Sequence, residues 1–330
     1  MTAPVILAIP SKGRLKEQAE AWLTDCGFRL EVDGGERGYR ASLSGLPGVQ
    51  VQLLSAGDIA AGLEAGDLHL GVTGEDLLRE RGDALGERIM LLKPLGFGRA
   101  DLVVAAPQSW LDVETMADVE EVAAAYLHRA GRRLRVATKY MVQTRAFFAR
   151  MGVADYRIVE SSGATEGAPA AGAAELIVDI TTTGATLAAN GLKVLSDGLI
   201  LKSQAQLAAG LSAPWTPEHG GTLRRLLGVV EARARALKLS LLAWPLEQSS
   251  AAEAATESFV ARGASRRAHG LLADSADLFD IAAALAAAEV GPVSVTRPEF
   301  AFEPVSEAAE TLATRLGWQV FDASVKITEL

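Results

Sequence analysis

The chain has 330 residues, 49% hydrophobic and 22% charged, with a net charge of −9. That length supports a sizeable core spread over two or three domains, and the negative balance argues against nucleic-acid binding through bulk charge. The one cysteine, Cys26, excludes an intrachain disulfide and a cysteine metal cluster and fits a reducing, cytoplasmic setting.

In "MTAPVILAIPSKGRL" the apolar run spans about six residues before charge follows, too short for a secretory signal or a membrane span. "PVILAI" reads as a buried strand ended by Pro10. "SKGRL" then turns the chain into a helix with Leu15, Ala19, Trp22, Leu23 and Cys26 on one face and Gly27 as its C-cap. "VQVQLLS" alternates as a strand. "DIAAGLEAG" reads as a helix opened by Asp58 and closed by Gly66. "DLHLGVTG" is a strand and "EDLLRER" a helix start. This alternation predicts an α/β fold with a largely parallel sheet.

From Ile89 onward, "IMLLKPLGFGRADLVVAAP" holds two strands and "MADVEEVAAAYLHRA" a helix. "RLRVATK" is a strand, "VQTRAFFARMG" a helix, and "DYRIVES" and "ELIVDI" are further strands. After the Pro/Gly signal "PWTPEHGG", Leu223, Leu226, Leu227, Val230, Ala234, Leu237 and Leu241 are spaced as one helical face. The alanine-rich remainder reads as a small α+β module, with strands at "LSLLAW", "AHGLLA", "PVSVTR" and "FAFEP" and helices between and after them.

Several turns between strand and helix could carry chemistry. In "DITTTGAT", Asp179 ends a strand. Thr181, Thr182, Thr183, Gly184, Ala185 and Thr186 then offer amides, hydroxyls and a helix start, which together suit a phosphate group. Gly184 lets the backbone approach closely. Asp179 could accept from sugar hydroxyls or hold Mg²⁺ through water. A helix start capped by threonines, with no ligand, explains the same residues equally well. No Walker loop and no Gly-x-Gly-x-x-Gly is present; "GFGRAD" puts Asp101 at the third glycine position.

"PSKGRL" puts Lys12 and Arg14 at a strand's C-terminal end, where α/β proteins bind ligands, although most such pairs are solvated surface charges. "GVTGEDLL" presents Thr73 and Gly74 ahead of Glu75 and Asp76; for Glu75, capping of a helix start is the preferred reading. "GRRLRVATKYMVQTRAFFAR" carries six Lys/Arg and no acid, a contrast with the rest of the chain that suggests an anionic ligand. "SSGATEGAP" is a glycine-rich turn whose single charge is Glu166. A common ligand for these turns is polyphosphorylated and sits in a cleft between two lobes. The four histidines, His69, His128, His219 and His269, are scattered without metal-ligand spacing.

In this order, "LAIPSKGRL", "DIAAGLEAGDLHLGVTGEDLL", "LGFGRADLVVAAP", "RVATKYMVQTRAFF", "SGATEGAP" and "ELIVDITTTGATLAANGLKVL" resemble the ATP phosphoribosyltransferase family, over about residues 5–210. The resemblance implies a two-lobed, type II periplasmic-binding-protein-like α/β core. Residues 1–94 and 177–206 would form lobe I, 95–176 lobe II, 207–239 a linker helix and 240–330 a C-terminal α+β extension. It implies Mg²⁺-dependent transfer of the phosphoribosyl group from phosphoribosyl pyrophosphate (PRPP) to N1 of ATP, the first step of histidine biosynthesis.

By position, Thr181–Thr186 and Asp179 would hold PRPP with Glu166. Lys12, Arg14, Thr73, Gly74, Asp76, Lys139 and Tyr140 would serve ATP, and Asp179, Glu166 and Arg14 would be catalytic. The resemblance also implies a cytoplasmic homo-oligomer without nucleic-acid or membrane partners. Histidine would inhibit either through the tail or through a separate subunit resembling histidyl-tRNA synthetase. Two departures stand out: where many relatives carry an arginine shortly before "DI", this chain reads "LLSAGDI", with Ser55 and Gly57, and, the larger of the two, the C-terminal extension 240–330 is atypical and carries no firm family motif. The rival reading is a non-catalytic bilobal protein that binds a phosphorylated small molecule.

Overall fold

The computed structural model describes residues 3–32, 40–161 and 163–318. They form two compact units. The first holds residues up to Leu23 and from Arg29 to His219; the second holds Thr24–Phe28 and the chain from Gly220 on.

In chain order the first unit contains β1 (Val5–Pro10), α1 (Gly13–Asp25, whose last residues are counted with the second unit), β2 (Arg29–Val32), β3 (Arg40–Ser44), β4 (Val49–Leu54), α2 (Ala56–Ala65), β5 (Leu70–Gly74), α3 (Glu75–Arg79), the irregular turn α4 (Ala84–Glu87) and β6 (Ile89–Pro94). It continues with β7 (Ala100–Pro107), α5 (Met116–Ala130), β8 (Leu134–Thr138), α6 (Met141–Arg150), β9 (Tyr156–Glu160), β10 (Leu176–Thr181), α7 (Ala185–Ala189), β11 (Leu192–Ser203) and β12 (Ala205–Gly210).

These strands build two sheets. The seven-stranded one runs β2-β3-β4-β1-β5-β12-β6 and the five-stranded one β11-β7-β10-β8-β9. The expected parallel core is present where β1 pairs with β4 and β5, and where β8 pairs with β9 and β10. Both sheets are nevertheless mixed, because β12 runs antiparallel to β5 and β6, and β7 antiparallel to β10 and β11. Apolar residues fill both faces of the central strands. All five residues of β5 are buried, as are Leu7, Ala8 and Ile9 in β1 and Leu176, Ile177 and Val178 in β10. Strands sandwiched between helix layers lose their polar alternation, which is why "VILAIP" and "LIVDIT" read as continuous apolar runs.

Strand pairing corrects the expected boundaries of the lobes. β10 and β11, within the stretch 177–206 assigned to lobe I, hydrogen-bond to β7 and β8 in the second sheet; β12 is the strand that returns to the first. β11 has no clear strand signature in the sequence because two register irregularities, between Val194 and Leu199 and between Leu199 and Leu201, break the two-residue alternation. The lobes are joined where the chain passes between sheets twice, at 95–99 and at Gln204. There the Ala205 N–H donates to Phe97 O at 2.9 Å, and the Leu95 N–H donates to Ala205 O at 3.0 Å.

Local capping differs in one place from the sequence reading. Ser55, not Asp58, is the N-cap of α2: its Oγ accepts from Asp58 N at 3.2 Å and donates to Asp58 Oδ2 at 2.6 Å. Gly66 closes that helix with φ 84° as expected. The histidines are also less scattered in space than in sequence. The rings of His69 and His219 lie 5.1 Å apart, with Trp215 packed against His69 at 4.7 Å. His69 Nδ1 accepts from Ile6 N and its Nε2 faces Pro214 O, so backbone partners occupy the ring and burial lowers its pKa.

Just before β10, the central strand of the second sheet, Glu175 is buried and receives hydrogen bonds from Arg132 and from Arg135 through both its backbone and guanidinium. Those donors hold its carboxyl down at about 2 against the desolvation that raises it. The folded pKa lies below the ordinary 4.5, so the stabilisation is complete above 4.5 and is lost as pH falls toward 2. Glu175→Gln is therefore expected to cost about 1–2 kcal/mol at pH 7, since both arginines are partly solvated, and to cost little near pH 2. Urea melts across that range check it.

The second unit carries α8 (Gly220–Ala236), β13 (Leu239–Ala243), α9 (Ser249–Val260), β14 (Ser265–Arg267), β15 (Gly270–Asp274), α10 (Leu278–Ala287), β16 (Ser294–Thr296) and α11 (Glu307–Arg315). The sheet is antiparallel, in the order β14-β15-β13-β16. Leu242 and Leu271 on it pack with Phe259, Ile281 and Leu285. The apolar stripe of α8 holds from Leu223 to Val230. It stops short of the sequence reading: the helix ends at Ala236, Leu237 is exposed and Leu241 lies in β13. "FAFEP" forms no strand either. Ala301 is instead held against α8, donating to Ala232 O and accepting from Arg235 Nη1. Burial pushes the Cys26 thiol up to about 12, so it is a core residue rather than a nucleophile.

Candidate active site

β10 ends at Thr181, and its last residues face a cavity of about 450 Å³. Asp179, Thr181, Thr182, Thr183 and Thr186 line it from the strand end and turn. Thr165 and Glu166 contribute from a 3-10 turn over Thr165–Gly167, and Lys139 from the end of β8. The structure thus brings Glu166, Lys139 and the threonine turn together around Asp179.

The turn is largely self-supporting. Gly184 N donates to Thr181 Oγ1 at 2.8 Å, Ala185 N donates to Thr183 Oγ1 at 3.4 Å, and Ile180 N donates to Asp179 Oδ1 at 2.8 Å. Gly184 has φ 75°, in the left-handed region, and nothing lies within 4 Å of where a Cβ would stand. Glycine is required here by backbone conformation, not by crowding from the protein. α7 has only five residues, so the amides of the turn contribute more than any helix dipole.

Burial raises the Asp179 pKa and the neighbouring Glu166 charge adds to it; the Ile180 N–H, Lys139 and Thr165 pull the other way. A carboxylate kept at a partly desolvated cavity wall beside another carboxylate is costly for folding, and such costs cluster at sites that use the charge.

Thr73, Gly74, Asp76 and Tyr140 are also brought together, but away from that cavity. Asp76 and Tyr140 are buried between the two sheets. Tyr140 Oη donates to Asp76 Oδ2 at 2.7 Å, and Ser203 Oγ donates to Oδ1 at 2.8 Å. Asp76 N donates back to Ser203 Oγ at 3.0 Å, and Gln143 Nε2 donates to Asp76 O at 2.8 Å. Gly74 is needed because a Cβ there would overlap the Asp76 carboxylate. Thr73 Oγ1 is spent on Ala56 O.

Glu80, from the turn after α3, reaches the other lobe and accepts from Val142 N at 2.7 Å and Gln143 N at 3.2 Å, capping α6. Burial and Asp76 raise the Tyr140 pKa far out of the physiological range, so its phenol stays a donor. Ser203, Gln143 and Glu80 were not singled out from the sequence, because their partners lie 62 to 127 residues away. Glu75 is a structural residue, paired with Arg79 and Gln206.

Lys12 and Arg14 are exposed and line neither this cavity nor the adjoining one. Leu15 packs on Gly98, so the start of α1 adjoins the connection that carries Arg99. That second cavity, about 490 Å³, is lined by Arg99, Ala100, Asp101, Thr182, Lys202, Ser203 and Gln204, and it shares Ala100 and Thr182 with the first.

The described helices include none long and apolar enough to cross a membrane. A solved structure from Thermotoga maritima, an ATP phosphoribosyl transferase (HisG:HisZ) complex, aligns over 69% of this chain and 98% of that one, with a TM-score of 0.50 and 24% identity. This shows the α/β fold. Residues 55–227 match the family model for ATP phosphoribosyltransferase. An ATP phosphoribosyltransferase of Caulobacter vibrioides is 71% identical over 316 residues, covering 96% of this chain and 99% of the relative. Another, of Afipia carboxidovorans, is 57% identical over 238 residues, covering 72% and 73%. With identity of that degree running nearly end to end, and with the threonine turn and its two carboxylates gathered at one cavity, the chain belongs to the ATP phosphoribosyltransferase family.

Proposed function

We propose that this chain transfers the 5-phosphoribosyl group of PRPP to N1 of ATP, releasing pyrophosphate, in the first step of histidine biosynthesis. The observation that carries the reading is the cavity in which Asp179 and Glu166 face the threonine turn and Lys139, in a chain of this family. The turn Thr181–Thr186, with Gly184 and Ala185, receives the 5-phosphate. Asp179 and Glu166 face the ribose. Displacement at the anomeric carbon builds positive charge on the sugar ring, and two carboxylates beside the ring stabilise it. Pyrophosphate is a good leaving group, so the protein's task is to hold donor and acceptor in line and neutralise charge, with no covalent nucleophile.

Lys12, Arg14 and Lys139 serve the nucleotide and the phosphates, with Arg14 beside the leaving group. Thr73, Gly74, Asp76 and Tyr140 frame the nucleotide side from the interlobe joint. Asp179 and Glu166 fit Mg²⁺ as an ion carried mainly by substrate phosphates and water. Among the described residues no group of three or more His, Cys, Asp or Glu could cage it alone. Asp179 would hold the ion through water, and an ion so held would supply neutralisation of the pyrophosphate charge. In the same reading the enzyme is a cytoplasmic homo-oligomer. Histidine inhibits it, either through residues 240–330 or through a regulatory subunit resembling histidyl-tRNA synthetase.

Incubation with ATP, PRPP and Mg²⁺, followed near the adenine absorbance band with and without histidine, tests this. Binding of both substrates without turnover would favour the non-catalytic binder. Gly184→Val places a β-branched residue at φ 75° and distorts the phosphate turn. It is expected to raise the KM for PRPP about tenfold or more and the KM for ATP much less; equal effects would remove the turn from the PRPP site.

A further inference from the structure

The start of α6 is held from the other sheet. Asp76 in α3 and Glu80 at its end stand four residues apart on one face of the turn, and three anchors run from them to α6. The Asp76 carboxylate accepts from Tyr140 Oη, the Asp76 carbonyl accepts from Gln143 Nε2, and the Glu80 carboxylate accepts from Val142 N at 2.7 Å and Gln143 N at 3.2 Å. The turn after α3 lies against the same helix, since a Cβ on Gly82 would stand 3.5 Å from Val142 Cγ1. α6 depends on these anchors because its own sequence supplies no cap. Tyr140 occupies the N-cap position, and its side chain makes no capping bond. The amides of Val142 and Gln143 are first-turn donors with no partner inside the helix. Glu80 satisfies both, and it places a negative charge at the positive end of the helix. The cap is therefore complete only while the two sheets keep this arrangement.

Lys139 immediately precedes this junction. Its backbone is tied on both sides, by the Tyr140 N–H donating to Thr138 Oγ1 at 2.9 Å and by the capped helix. Its Nζ lies 5.0 Å from the Tyr140 ring centroid, and it lines the first cavity. There burial raises the Asp179 carboxyl, the Glu166 charge adds to that, and Lys139 opposes it. The charged and titratable groups facing the junction are Asp76 and Glu80 from α3, Tyr140 and Lys139 from the start of α6, Asp179 from β10 and Glu166 across the cavity.

We propose that Glu80 is a positioning residue for the phosphoribosyl transfer: by capping α6 from the other sheet, it fixes where Lys139 stands in the first cavity. The proposal rests on the reading that this cavity takes PRPP. Glu80 lines neither of the two cavities, so it acts through the helix start and not on a substrate. Without its charge the first turn of α6 frays, and the backbone that carries Lys139 loses one of its two fixed ends. The role uses the whole carboxylate, because each oxygen meets a different amide.

The test is steady-state kinetics on the full chain with Glu80→Gln, Lys139→Ala and the double variant, each also followed by thermal melt. Glu80→Gln is expected to lower kcat/KM for PRPP about tenfold, and Lys139→Ala at least as much. In the double variant the Glu80 change should add less than about twofold, because its effect passes through a side chain already removed. The acid limb of the kcat/KM profile should move to higher pH in Glu80→Gln, since a displaced Lys139 no longer opposes the rise of the Asp179 pKa. The substrate phosphates titrate equally in both proteins, and a purely structural cap would move the melt but not that limb. Arg79→Gln, which breaks the pair with Glu75 on the same turn, should leave kcat/KM within about twofold. Normal kcat/KM in Glu80→Gln, an unmoved acid limb, an equal loss in Arg79→Gln, or losses that multiply fully in the double variant overturn the proposal. Failure of the parent reading looks different: the unaltered protein then does not turn over, or Lys139→Ala alone leaves kcat/KM for PRPP unchanged.

Discussion

Asp179→Asn should lower kcat by about 100- to 1000-fold while making the protein more stable at neutral pH. The loss follows from removing the carboxylate that faces the developing charge on the sugar. The gain follows from the pKa. Burial raises the folded value above the ordinary 3.8, so the native state holds the Asp179 proton more tightly than the unfolded chain does. For a carboxyl shifted upward, the favourable contribution is full below 3.8 and is lost as pH rises through the folded pKa. At pH 7 the charged group is a net cost, and asparagine removes it. Thermal melts of both proteins should separate at pH 7 and converge as pH falls toward 4. A variant less stable at pH 7, or one with near-normal kcat, contradicts the assignment of Asp179 as a charge kept for the reaction.

The second large effect concerns the joint between the lobes. Tyr140→Phe removes the phenol that donates to Asp76 at 2.7 Å in a buried setting, leaving one carboxylate oxygen without a partner. A loss of about 1–3 kcal/mol is expected, readable in denaturant melts. Asp76→Asn should cost a similar amount, because it disturbs the bonds from both Tyr140 and Ser203. The double variant should cost clearly less than the sum, since both changes remove one shared interaction. Strict additivity would show that the pair does not couple the lobes. Tyr140 also sits under Lys139, whose Nζ lies 5.0 Å from the ring centroid, so Tyr140→Ala should release a side chain that lines the first cavity. Its signature is a raised KM for substrate beyond what lost stability accounts for, restored by Phe, which keeps the ring.

The threonine turn was legible in the sequence because its information is local. An apolar strand, an aspartate, four threonines and a glycine occupy one short stretch, and the hydrogen bonds that shape it span three residues or fewer. The central strands and most helix ends were legible for the same reason. Apolar runs, terminal glycines and period-3.6 stripes act over one or two turns of chain. Even there, Ser55 rather than Asp58 took the cap, a choice among neighbours that only backbone geometry makes.

What the tertiary structure alone decided involves partners far apart. The sequence could list Asp76 and Tyr140 as nucleotide candidates, but not show that they hydrogen-bond to each other across 64 residues, with Ser203 joining from 127 residues away. Nor could it show that Glu80 caps α6 in the other lobe, or that β10 and β11 belong to the second sheet. The physical reason is the same in each case. Local propensity and periodicity fix what a segment becomes, whereas strand pairing and burial, which act between segments, fix which charges share a cavity and which are consumed in holding it together.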